Sequence, residues 1–84
     1  MVLSWDKYAW EDYLYWQQHD KQILKRVNEL IKECIRTPFA GKGTPEGLKG
    51  DLSGYWSRRI TDEHRLIYCV YPDRLHIIQC RFHY

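Results

Sequence analysis

Hydrophobic and polar positions follow a helical period in the first half of this chain and alternate in the second half, so the pattern predicts helices followed by strands. Within segment 20–36, Ile23, Leu24, Val27, Leu30, Ile31 and Cys34 fall on one stripe of a 3.6-residue period. Asp20 stands where an N-cap belongs, and Thr37-Pro38 ends the helix because a residue preceding proline is driven out of the helical region. Before it, Asp6 caps a helix expected to run to about Gln18, with Ala9, Trp10, Tyr13, Leu14 and Gln17 as its apolar stripe, and Val2 to Trp5 can form a short strand. The other face of the second helix, with Lys21, Lys25, Arg26, Glu29, Lys32, Glu33 and Arg36, reads as a solvated one.

The strands come next. Tyr55, Ser57, Arg59 and Thr61 alternate with Trp56, Arg58 and Ile60, and Asp62-Glu63 makes a turn. Leu66, Tyr68 and Val70 then alternate with Arg65, Ile67 and Cys69 up to a break at Pro72-Asp73. From Arg74 to Tyr84 a last strand is expected, with Leu75, Ile77, Gln79, Arg81 and His83 on one face and His76, Ile78, Cys80, Phe82 and Tyr84 on the other. An N-terminal strand, two helices and a run of strands predict an α+β fold, with the helices packed on one face of an antiparallel sheet. The opposite face is then free for work.

A glycine-rich connector, PFAGKGTPEGLKGDLSG, joins the second helix to the central hairpin, with Leu48 and Leu52 as its apolar anchors. Gly41-Lys42-Gly43-Thr44 has part of a phosphate-loop composition but lacks the GxxxxGK[ST] spacing and a preceding strand, so nucleotide binding is not expected.

At 84 residues the chain is a single domain, residues 1–84, near the size at which one core is just sufficient. The 44% hydrophobic content, with 4 Trp and 7 Tyr, supplies that core, and mean hydropathy of -0.65 describes a soluble protein. The N-terminus lacks the basic and apolar segments of a signal peptide, and no stretch is long enough to span a membrane; a cytoplasmic location is expected. Cys34, Cys69 and Cys80 lack paired spacing and read as reduced core thiols. A zinc site from Cys69, His76, Cys80 and His83 is disfavoured, because Cys80 and His83 point to opposite faces of a regular strand. Net charge of +2 is too small for unaided capture of nucleic acid.

The candidate chemistry concentrates on the hairpin and its neighbours. Arg58, Arg59 and Arg65 make a platform for an anion, Glu46 and Lys49 lie in the connector, and His83 is next to last. A carboxylate, an arginine and a histidine suffice to cut RNA without metal or cofactor, as base, charge stabiliser and acid. Taken singly, each has an ordinary structural reading: Glu46 as a turn residue, Arg58 or Arg59 as a salt-bridge partner because the two alternate faces, His83 as one histidine of 4.

Four segments carry a resemblance across nearly the whole chain: DYLYW (Asp12 to Trp16), RTPFAGKGTPEGLK (Arg36 to Lys49), LSGYWSRRITDEHRLIY (Leu52 to Tyr68) and CRFHY (Cys80 to Tyr84). They are similar to the YoeB toxins, the Txe/YoeB branch of the RelE superfamily. The resemblance implies a microbial-ribonuclease-like fold and an mRNA endonuclease that depends on the ribosome and acts in its A site. It assigns Glu46 as general base, His83 as general acid and Arg65 as transition-state stabiliser. Lys49 and Arg59 would assist at the phosphates, and Tyr84 would orient or stack on a base. Implied partners are a YefM-like antitoxin, the 70S ribosome with its mRNA, and a second copy of the chain as a homodimer. The competing readings are a protein that occludes the A site without cutting and a ParE-like gyrase inhibitor.

Overall fold

The structure, a computed structural model, describes residues 1–83. Strand β1 (Val2–Trp5) leads into helices α1 (Lys7–His19) and α2 (Lys21–Arg36), followed by β2 (Glu46–Gly47), a short 3₁₀ turn at Gly50–Leu52, β3 (Trp56–Arg59), β4 (Arg65–Val70) and β5 (Arg74–Gln79). The strands form one sheet in the order β1-β5-β4-β3-β2. The α+β architecture agrees with the sequence pattern, but the sheet is mixed, because β1 runs parallel to β5 while the other pairs are antiparallel. Two helices separate β1 from the hairpins, which is the length of crossover a parallel pairing needs.

Asp20 both closes α1 and opens α2, its carboxylate accepting from the amides of Gln22 and Ile23. Such caps contribute about 1 kcal/mol each. Val27, Leu30, Ile31 and Cys34 of α2 are buried as predicted, against Leu66, Tyr68, Leu75 and Ile77 of the sheet. Helix α1 differs from its expected stripe. Ala9 and Trp16 are its buried residues, whereas Trp10 and Leu14 are 45% and 36% exposed. With aromatics on every side of α1, sequence period alone does not single out its inner face.

The last strand also differs, ending at Gln79 rather than continuing to the C-terminus. Ile67 pairs with Gln79 and Tyr68 with Ile77, so Ile78 is an extra residue in β5. A one-residue bulge reverses the face of everything after it. Gln79 therefore shares a face with Ile67, and Cys80 turns inward, where its carbonyl accepts from the Trp16 indole at 2.8 Å.

Candidate active site

The face of the sheet turned away from the helices is organised by register. Glu46 pairs with Ser57, Ser57 with Ile67, and Ile67 with Gln79, so four strands contribute one row of side chains. Ser57 and Ile67 are buried, and Ile67 lies outside the helix-side core, so this row has a floor and is not flat open surface. The next row is formed by Arg59 opposite Arg65. Like charges directly opposed on a sheet repel. Here Arg59 pairs with Asp62, and Arg65 donates through Nη1 to the carbonyls of Thr61 at 2.5 Å, His64 at 3.1 Å and Asp62 at 3.2 Å. The register therefore brings together, at the end of a hairpin, two residues of the type suited to contacting an anion.

The C-terminal segment is fastened to this end of the face. The Arg65 amide donates to the Phe82 carbonyl at 2.9 Å, and His83 is the next residue along this segment. Glu46 lies two strands across and two residues along from Arg65, roughly 12 Å away between Cα atoms. That separation leaves room for a phosphodiester between the two side chains. Glu46 is exposed, Arg59 is exposed and Arg65 half-buried, so all three are accessible from solvent. Lys49 is exposed at the start of the 3₁₀ turn, past β2, at the other end of the face from Arg59 and Arg65. Tyr84 lies outside the described residues.

Arg58 is a correction. It is fully buried on the helix side and cannot bind substrate where it stands. Its Nη1 and Nη2 donate to the carbonyls of Lys42 at 2.7 Å and Thr37 at 2.6 Å, and its Nε to the Tyr68 hydroxyl at 3.1 Å. Tyr68 donates in turn to the Pro38 carbonyl at 2.7 Å. Burial pushes the Tyr68 phenol up to about 12, so it remains a donor, and pushes the Cys34 thiol beside it up to about 11. The guanidinium thus fastens the start of the connector to β3.

Glu33 is a second correction, for it is 8% exposed and not part of a solvated face. Its carboxylate accepts from the Lys42 amide and from Arg36, both at 3.0 Å, and these bonds hold it below its ordinary pKa. A Cβ on Gly41 (φ +95) would collide with the Glu33 carboxylate, and one on Gly43 (φ +83) would meet Leu30 Cδ2 at 2.8 Å. Glycine is required at both positions. The connector then reaches β3 through Arg59 N and Gly43 O at 2.7 Å, three residues before Glu46.

Two residues without a signal in the sequence also touch this site. His64 Nδ1 accepts from the Phe82 amide at 2.8 Å, and Gln79 Nε2 donates to the carbonyls of Arg81 at 2.8 Å and Phe82 at 3.3 Å. Spacing does not mark either one, since both act on a segment whose position depends on register. Among the described residues no His/Cys/Asp/Glu cluster could hold a metal ion, and no helix is long and apolar enough to cross a membrane.

Comparison with known proteins gives a consistent family. The model of the YoeB-like toxin of bacterial type II toxin-antitoxin systems matches residues 5–84. Toxin YoeB of Escherichia coli strain K12 is 62% identical over 84 residues, covering 100% of both chains. Among solved structures, a YoeB/ParE toxin from Agrobacterium tumefaciens superposes with a TM-score of 0.98 at 55% identity, covering 100% of both chains. The YoeB-YefM complex from Staphylococcus aureus gives 0.92 at 44%, covering 100% of this chain and 98% of that one.

Proposed function

We propose that this chain, which belongs to the YoeB-like toxins of bacterial type II toxin-antitoxin systems, is an endoribonuclease that cuts mRNA on the translating ribosome. The observation that carries the reading is the Arg59–Arg65 row, set between the carboxylate of Glu46 and the segment bearing His83. In this mechanism Glu46 takes the proton of a ribose 2′-hydroxyl, and the freed oxygen attacks the adjacent phosphorus. Arg65, assisted by Arg59, stabilises the charge that builds on the non-bridging oxygens. His83 gives its proton to the departing 5′-oxygen as the P–O5′ bond breaks. Lys49 contacts a neighbouring phosphate along the strand, and no step calls for a metal.

The net charge of +2 supports dependence on the ribosome. So small a charge does not hold a flexible RNA in line, whereas a ribosome-bound codon arrives at high effective concentration and already bent. A YefM-like antitoxin is the proposed inhibitor, by analogy with the Staphylococcus aureus complex, its C-terminal segment ordering as it covers the face.

Primer extension on mRNA from translating ribosomes tests the reading. Wild type is expected to create new ends at A-site codons, with free RNA left largely intact at physiological salt. Glu46→Ala and His83→Gln are expected to lower the yield by about 100-fold or more. Growth arrest without new ends, undiminished in both variants, would point instead to occlusion of the A site.

A further inference from the structure

Beyond β5 the backbone makes a bend that its own residue does not favour. Phe82 has φ 66, in the left-handed region that a bulky side chain rarely occupies. Such a conformation persists only where the surroundings over-determine it. The Phe82 carbonyl accepts from the Arg65 amide at 2.9 Å and from Gln79 Nε2 at 3.3 Å, while its amide donates to His64 Nδ1 at 2.8 Å. Both sides of the strained residue are therefore anchored, one by the sheet and the other by a single imidazole nitrogen.

That imidazole is held in turn. Its ring meets Trp16 edge-on at 4.8 Å between centroids, its backbone amide donates to Thr61 Oγ1 at 3.2 Å, and its carbonyl accepts from Ile60 and Thr61 in the turn. Because Nδ1 accepts a hydrogen bond, the ring proton belongs on Nε2. Nothing in the acid/base roles above uses His64.

We propose that His64 is a positioning residue, fixing the left-handed bend at Phe82 through Nδ1 and so aiming His83 at the phosphate beside Arg65. This inference rests on the reading of His83 as the general acid. The contact itself does not, and can be measured separately.

Three variants separate the hydrogen bond from the ring. Asparagine puts Oδ1 where Nδ1 stands, leucine has the same outline without an acceptor, and glutamine carries its oxygen one atom too far. All three lose the Trp16 ring contact equally. His64→Asn is expected to cleave ribosome-bound mRNA within about threefold of wild type. His64→Leu and His64→Gln are expected to lose roughly 10- to 100-fold in the rate at saturating ribosome complex, with the half-saturating concentration little changed. Exchange of the Phe82 amide with solvent, followed by NMR, should quicken in Leu and Gln and stay protected in Asn. If His64→Leu does not fold, the Asn and Gln pair carries the test. Equal rates in Asn and Gln, whether both high or both low, overturn the inference. A wild type that cuts nothing overturns the endonuclease reading, while the Phe82 amide still reports on the contact.

Discussion

Arg58 and Arg59 are chemically identical neighbours whose environments are opposites. Arg59 faces the candidate site; Arg58 is enclosed, its guanidinium shared among two carbonyls and a phenol, with no carboxylate paired to it among the described residues. Hydrogen bonds to a buried charge contribute more than neutral ones, and removing the charge takes the Arg58 donor from the Lys42 carbonyl and leaves the Thr37 carbonyl only the longer bond from the Ala40 amide at 3.4 Å. Arg58→Met is therefore expected to lower the free energy of unfolding by about 3 kcal/mol in urea titrations. A loss under about 1 kcal/mol would show that the clamp contributes little. Alternation places Arg58 on the face of Trp56 and Ile60, yet its charge suggested a place in the anion platform, and its burial was not expected. Nor was its role, since the atoms it holds lie in the connector, where no periodicity operates. Glu33 was hidden for the same reason among the charges of α2.

At the scale of elements, the connector and the end of β5 decide where the candidate acid and base stand. Helix α2 and the central hairpin follow closely from period and turn chemistry, down to the Asp20 cap and the Asp62-Glu63 turn. The bulge at Ile78 left no trace in composition, yet it turns Cys80 inward and redirects the segment bearing His83. The connector is fixed by Glu33, whose carboxyl is held below its ordinary 4.5 chiefly by the Lys42 amide and then by Arg36. A group whose folded pKa is depressed contributes stability above its unfolded value and loses it as pH falls through the folded value. The difference in unfolding midpoint between wild type and Glu33→Gln should thus be largest above pH 4.5 and shrink below it. A difference independent of pH would contradict the assignment.

For the whole molecule, β1 closes one edge of the sheet, the helices cover one face, and the other face gathers Glu46, Arg59, Arg65 and the segment of His83 from four separate stretches of chain. Sequence pattern indicated that such a face exists. It carried no information on register, which is what brings the four stretches together, and the roles of the residues came from resemblance to a family. The central claim is that this face drives attack by a 2′-oxygen, and that claim has a chemical signature. Breaking P–O5′ in this way leaves a 2′,3′-cyclic phosphate upstream and a 5′-hydroxyl downstream, whereas hydrolysis by an activated water leaves a 5′-phosphate on one of its two courses. The decisive measurement is therefore the chemistry of the downstream ends released from translating ribosomes. Ends that polynucleotide kinase labels without prior phosphatase treatment are the predicted result; 5′-phosphate ends would contradict it.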